Sequence, residues 1–353
     1  MDERRVQLAH SIDMAVSAFA SVPPIGLGAY LRVQAALLAL NSLEDMCALP
    51  DSDPFPPLLA VLATIGQWPG AFAKTLQHMH DHISTHAINR DHEAHTEELY
   101  EAAWTHYDDD TYDHSVSLVE ERLSHSGFGP EFFKDKVCFD GGCGTGRLSI
   151  AMAKAGAKKV VAVDVGGDSL SYLERVRERY RLNQVEIVRQ DVTDLSRFQS
   201  NSFDFVASNG VLHHTIQQQR GITEHFRITR GGGVFWLYLY GAGGIYWDTF
   251  DRLRPLLNEI PPRRALEILN SLQIRKGLIY AFLDNFMAPR KYYALAQVLD
   301  LLRPCGEFTY ANAKGSSPID DTARLLSTRW GREIYGPDGE IRIVITKRSQ
   351  DRV

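Results

Sequence analysis

The stretch Val137-Cys138-Phe139-Asp140-Gly141-Gly142-Cys143-Gly144-Thr145-Gly146-Arg147 decides how the rest of the chain is read. An apolar run ends in an aspartate, a glycine-rich turn follows, and a helix-forming segment begins at Arg147. With no Cβ in the way, such a turn lets the backbone approach a ligand closely. The first turn of the following helix aims its unpaired N–H groups at the same place. Spacing narrows the choice of ligand. A G-x-G-x-x-G fingerprint starting at Gly142 needs glycine where Arg147 stands, and a phosphate-binding loop needs G-K-[ST], which is absent. The pattern present is D-x-G-x-G-x-G.

Working downstream, Lys159–Val165, Val185–Gln190, Phe203–Ser208 and Val234–Tyr240 read as strands like the first at Lys136–Phe139. Arg147–Ala155, Ser169–Leu182 and Ile222–Thr229 read as the helices between them. Alternating strands and helices predict βαβ units and a parallel sheet covered on both faces. The near-continuous apolar run at 234–240 suits a strand buried on both sides. Residues 242 to about 290 read as a helical insert, with Tyr246–Leu257 and Arg264–Leu272 its clearest pieces. A helix at Tyr292–Leu302, a strand-like Glu307–Ala311, a turn at Gly336-Pro337-Asp338-Gly339 and a strand at Glu340–Thr346 complete the pattern.

Upstream, residues 1–115 show apolar spacing of helical period at Val6–Ala20, Ala29–Leu49 and Phe72–Ile88, broken at Pro23-Pro24 and from Pro50 to Pro57. The expected organisation is a helical N-terminal domain or lid over 1–115 and a sheet domain over 116–353. The length of 353 residues agrees with two domains on a prior of about 100–200 residues each.

Composition excludes some classes. Hydrophobic residues make up 44% and charged residues 23%, which argues against wholesale disorder. A net charge of −6 weighs against a nucleic-acid partner. The arginines Arg175, Arg177, Arg179 and Arg181 are interleaved with Glu174 and Glu178 on a helix and read as a solvated face. Cys47, Cys138, Cys143 and Cys305 form no C-x-x-C pair and no disulfide framework. Gly233–Trp247, the most apolar window, is too short and glycine-rich to span a bilayer. With no signal-peptide core at the start, a cytoplasmic protein without a membrane partner is expected.

Eighteen residues past Gly146, Asp164 ends the second strand, and Asp191 ends the third. A carboxylate at Asp164 can accept hydrogen bonds from both hydroxyls of a ribose. Taken singly, either aspartate also fits a helix cap or turn former. The glycine loop at this distance favours the ribose role for Asp164.

With Asn209-Gly210-Val211-Leu212-His213-His214-Thr215 after the fourth strand, the chain resembles the class I S-adenosylmethionine (SAM)-dependent methyltransferases over roughly residues 115–350. The resemblance implies an α/β, Rossmann-like seven-stranded sheet with the last strand antiparallel, a helical N-terminal domain and a helical insert after strand five. SAM is the implied cofactor. By resemblance, Asp140 and Gly142, Gly144 and Gly146 contact its methionine part, Asp164 its ribose and Asp191 its adenine amine.

Candidates around the transferred group follow. Asn209 is a polar contact to cofactor or acceptor. His213 and His214 stand at the right end of the sheet for a general base or a substrate contact, and equally fit loop histidines capping the next helix. Trp104 and Tyr107 lie in an aromatic-acidic segment; relatives of this type fold such a segment over the cofactor, where an aromatic face is worth about 0.5–2 kcal/mol to a cation. An amphipathic helix end with an acidic tip explains that segment too. His78, His82 and His86 are spaced like metal ligands, but exposed helix-face histidines account for them more simply, and no metal is expected. Tyr246, Trp247, Tyr292 and Tyr293 fit an acceptor pocket or core packing.

The expected activity is methyl transfer to a small-molecule acceptor. Two alternatives remain. One is attack at the γ-carbon of SAM's methionine chain with release of methylthioadenosine, as in aminocarboxypropyl transferases and azetidine-2-carboxylate synthases of the same fold. The other is SAM binding without turnover.

Overall fold

The computed structural model describes residues 3–79, 109–315 and 320–349, with side chains at 72–79 left aside. The described chain divides into two compact units. One contains residues 104–242, 289–327 and 338–353; the other contains 1–103, 243–288 and 328–337.

The first unit is built on seven strands: β1 (Val137–Gly141), β2 (Lys159–Asp164), β3 (Val185–Arg189), β4 (Phe203–Asn209), β5 (Thr229–Leu239), β6 (Phe308–Asn312) and β7 (Ile341–Lys347). Their order is β3-β2-β1-β4-β5-β7-β6. β1 to β5 run parallel, and β7 is inserted antiparallel between β5 and β6. The strand order reverses direction between β1 and β4, the switch point outside which ligands bind in open α/β sheets.

Side-chain alternation gives this sheet two cores. Cys138, Phe205, Ala207 and Trp236 face the helices Asp109–His125 and Arg147–Lys154. Phe139, Val206, Phe235 and Leu237 face the helices Gln218–Ile228 and Leu295–Leu302. The helix Asp109–His125 runs unbroken across residue 115 and belongs to the sheet unit.

Two sheet-unit elements differ from expectation. β5 starts at Thr229, not Val234, because Arg230 to Gly233 form an irregularity opposite Phe203 and Phe205. A Cβ at Gly233 would lie 3.0 Å from the carbonyl oxygens of Arg230 and Asp204, a crowded contact that glycine avoids. The helix expected from Tyr292 starts at Leu295, since Tyr293 is tied into extended structure by bonds from its N–H to Tyr240 O (2.9 Å) and from Ala242 N–H to its carbonyl (3.0 Å).

The second unit is helical. Glu3–Ala18, Gly26–Ala48 and Phe55–Met79 pack with Ile245–Leu253, Pro262–Ser271 and Lys276–Met287. The third N-terminal helix begins at Phe55, inside the expected proline break. Pro56 and Pro57 occupy the first turn, where missing N–H groups cost nothing, and Pro69 lies further along the helix. Arg32, only 8% exposed, bridges two segments of this unit. Its guanidinium donates to the carbonyls of Phe19 (3.0 Å), Val22 (2.9 Å), Pro255 (3.3 Å) and Leu256 (3.0 Å). No helix among the described residues is long and apolar enough to cross a membrane.

Candidate functional site

The glycine loop leaves β1 and turns back against β2. Gly142 and Cys143 donate backbone N–H bonds to Val163 O at 2.8 and 3.0 Å, which fixes the turn at the switch point. Gly142 has φ 77°, and a Cβ on it would sit 2.3 Å from a Val211 methyl. Gly146 (φ 82°) caps the helix Arg147–Lys154, and a Cβ there would lie 2.1 Å from Leu173. Both positions require glycine for conformation and for space.

Two carboxylates flank this loop. Asp164 accepts from Gly144 N at 2.8 Å through Oδ2 and from Gly166 N at 2.9 Å through Oδ1, which joins the loop to the end of β2. Ionised carboxylate oxygens retain acceptor capacity beyond these bonds. Asp140 is 2% exposed and accepts from Ser149 Oγ at 2.6 Å. Burial pushes its carboxyl up to about 6, against the opposing Ser149 hydrogen bond and with the Asp164 charge adding to the rise. A buried carboxyl held in this state gains from a nearby cation. Burial likewise pushes the Cys143 thiol well up, so it is an inert part of the turn. Tyr112 donates from its hydroxyl to Thr145 O at 2.9 Å and braces the loop from the helix Asp109–His125.

Asp191 is exposed and forms a tight local turn, accepting from Thr193 N at 2.7 Å and Thr193 Oγ1 at 2.8 Å. Asn209, half-buried at the end of β4, accepts from Trp236 Nε1 at 3.4 Å. His213 and His214 form a short turn beyond it. His214 contacts Pro289 O through Nδ1 at 2.7 Å. His213 is fully buried, and neither of its ring nitrogens has a hydrogen-bond partner. Its ring lies 3.7 Å from that of Tyr240, centroid to centroid, and 5.9 Å from that of Tyr238. Burial, then His214, Arg290 and Arg342, push its pKa well down, so His213 is neutral with a lone pair.

The structure thus brings Asp140, Gly142, Gly144, Gly146, Asp164, Asn209, His213 and His214 to the carboxyl end of the parallel strands, with Asp191 just past β3. Tyr107 and Trp104 lie outside the described residues, as do His82 and His86. No cluster of metal-ligating side chains occurs among the described residues. Tyr246 and Trp247 are core residues of the helical unit, packed with Phe250, and Tyr246 also meets Tyr335. Tyr292 accepts from Arg290 Nε at 2.6 Å, and Tyr293 donates to Gln218 Oε1 at 2.7 Å. Tyr112, Ser149, Tyr238, Tyr240 and Arg342 carry no local motif. Only their positions, on a flanking helix or at strand ends level with Asn209, could have drawn attention to them.

Comparison with known proteins agrees with this geometry. Residues 139–237 match the family described as a methyltransferase domain. A ribosomal protein L11 methyltransferase from Caldanaerobacter subterraneus is 30% identical over 40% of this chain and 43% of its own length. A chloroplastic 2-methyl-6-phytyl-1,4-hydroquinone methyltransferase from Oryza sativa is 32% identical over 42% of this chain and 43% of its own. A geranyl diphosphate methyltransferase solved with SAM is 13% identical, covering 67% of this chain and 85% of that one at a TM-score of 0.40. The chain spans less than half the length of both curated relatives. Residues 139–237 thus carry the match to a methyltransferase domain, set in a Rossmann-like seven-stranded sheet with its last strand antiparallel, and SAM is its cofactor.

Proposed function

We propose that this protein transfers the methyl group of SAM to a small-molecule acceptor. The observation that carries the reading is one juxtaposition. The Asp140–glycine loop–Asp164 cradle and the Asn209–His213 segment share the switch-point end of one sheet. The residues fit SAM. Gly144, beside whose Cβ position nothing lies within 4 Å, leaves the loop backbone open to close approach, Asp164 can accept from ribose hydroxyls, and buried Asp140 suits a cationic ammonium. Asp191 retains acceptor capacity for an adenine amine beyond its bonds to Thr193.

When bound, SAM supplies an electrophilic methyl carbon on a sulfonium. The chain's part is chiefly to position and to exclude water. Asn209 can orient a polar group of cofactor or acceptor. Neutral His213 can accept a hydrogen bond from an acceptor hydroxyl or amine and so orient it, while burial, His214, Arg290 and Arg342 oppose its taking the proton outright. Its complete burial suits an acceptor small enough to be enclosed, and the net charge of −6 disfavours a nucleic acid. Tyr107 is assigned to the same site on the sequence resemblance alone.

The test is to incubate the full chain with SAM, first alone and then with small acceptors, following nucleoside products by chromatography with mass detection. Acceptor-dependent S-adenosylhomocysteine is expected. Methylthioadenosine with a four-membered cyclic amino acid from SAM alone would replace methyl transfer by attack at the γ-carbon. SAM binding with no product under any condition would leave a binding protein.

A further inference from the structure

Methyl transfer as proposed leaves Arg342 on β7 without a task. In the register of the sheet Asn209 pairs with Tyr238, and Tyr238 with Arg342, so the three form a row across β4, β5 and β7. By alternation they stand on the face of Phe205, Ala207 and Trp236, at the carboxyl end of β4 and β5. The Arg342 guanidinium lies 3.8 Å from the centroid of the Tyr238 ring, and its side chain is only 9% exposed. Its Nε is buried with no hydrogen-bond partner, and so is the Nε of Arg122. Both arginines reach one carboxylate oxygen, Asp320 Oδ1, at 3.2 Å from Arg342 and 3.0 Å from Arg122.

The surroundings also hold Glu340 among the charges felt by Arg342, and Arg147 among those felt by Arg122. Arg290 and Arg342 both act on His213 and oppose its protonation. A guanidinium taken out of water is costly unless its donors are met. Its planar fork matches a carboxylate better than any other common group.

We propose that Arg342, with Arg122 behind it, seats a carboxylate of the molecule bound beside the Asn209–Tyr238 row. This rests on the placement of the ligand site at that end of the sheet. The carboxylate belongs either to the acceptor or to the methionine part of SAM, and the two sources are separable by experiment.

The full chain would be titrated calorimetrically with S-adenosylhomocysteine and with its decarboxylated counterpart. If the cofactor supplies the carboxylate, the wild type prefers S-adenosylhomocysteine by roughly ten- to hundredfold, and Arg342→Gln loses that preference. If the acceptor supplies it, the two nucleosides bind alike. Acetate or benzoate, but not acetamide or benzamide, then raises the melting temperature of the S-adenosylhomocysteine-loaded wild type and leaves that of Arg342→Gln unchanged. A wild type with neither preference overturns the proposal, and so does an Arg342→Gln variant that keeps the wild-type preference. Should Arg342→Gln fail to fold, Arg342→Lys retains the charge and most of the volume but not the fork. It is expected to keep only part of the preference, and full retention overturns the assignment. None of these readouts requires turnover, so failure of methyl transfer and failure of this site are told apart.

Discussion

The sheet unit and the helical unit are held together by different means. In the sheet unit, stability comes from two apolar layers, and polar groups cluster at one end of the strands. In the helical unit, segments from three separate parts of the chain meet, and a buried arginine ties two of them through backbone carbonyls. Repetitive local pattern can specify the first kind of structure. The second depends on particular long-range partners, which leave little trace in local sequence.

The largest effect should fall on the helical unit. Arg32→Met keeps volume and apolar stem but removes the guanidinium donors; the carbonyls of Phe19 and Pro255 keep bonds from the N–H groups of Val22 and Asn258, while those of Val22 and Leu256 lose the donor shown here. Leaving these two acceptors unmet, with the loss of the shared bonds to the other two, is expected to cost about 3–5 kcal/mol in urea denaturation. A loss below about 1 kcal/mol would mean that apolar packing alone carries this unit and would break the contrast.

The sheet unit should show its character through pH. Asp140 and His225 are both buried, on opposite faces of the sheet, with opposite displacements. Burial raises Asp140 from 3.8 to about 6. Burial lowers His225 from 6.5 to about 4, beside Phe139 and Phe235 and with a hydrogen bond to Gly221 only partly opposing it. The stability linked to Asp140 is full below 3.8 and is lost as pH rises through about 6. That linked to His225 is full above 6.5 and is lost as pH falls through about 4. In the SAM-free wild type the two slopes offset each other. Asp140→Asn should therefore grow more stable with rising pH across this window, and His225→Gln less stable, each by about 2–3 kcal/mol. Parallel slopes in the two variants would sink the assignment.

Much of the sheet was legible because its cause is local. Runs such as Val160 to Val163 are apolar throughout, and Asp140, the glycines and Asp164 carry fixed spacings. What was missed had non-local causes. The start of β5 at Thr229 depends on an irregularity opposite Phe203 and Phe205, a long-range pairing that the apolar run from Val234 does not mark. The helix from Phe55 hid behind prolines that its first turn accommodates. In the site, Tyr112, Ser149 and Arg342 come from a flanking helix, from the helix after the loop and from the penultimate strand of the sheet order. No spacing rule links them to Asp140.

A smaller effect tests the legible part directly. Asp164→Ala should leave the protein folded, with a modestly lower melting temperature as the bonds from the Gly144 and Gly166 N–H groups are lost, and weaken SAM binding by about 1–3 kcal/mol. Gly142→Ala forces a Cβ against Val211 at φ 77°, and is expected to cost about 1–3 kcal/mol of stability and to weaken SAM as well. Pairing it with Val211→Ala should recover the part due to the clash and leave the part due to φ. Unchanged SAM affinity by calorimetry in Asp164→Ala would remove the cofactor from this loop.

The smallest expected effect returns to the helical unit. Tyr246 donates to the half-buried Glu44 at 3.2 Å, while burial raises the Glu44 carboxyl above its ordinary 4.5. For a carboxyl raised in this way, linked stability is present below 4.5 and is lost as pH climbs through the folded-state value. Tyr246→Phe removes the one hydrogen bond that steadies the charged form and so raises that value further. The variant should lose about 0.5–1.5 kcal/mol on the alkaline side of the Glu44 titration, where the charged form needs that bond, and much less on its acid side, where the carboxyl is protonated. A loss of equal size at both ends of the pH range would assign Tyr246 to aromatic packing with Trp247, Phe250 and Tyr335 alone. The helical unit would then rest, like the sheet unit, on apolar layers.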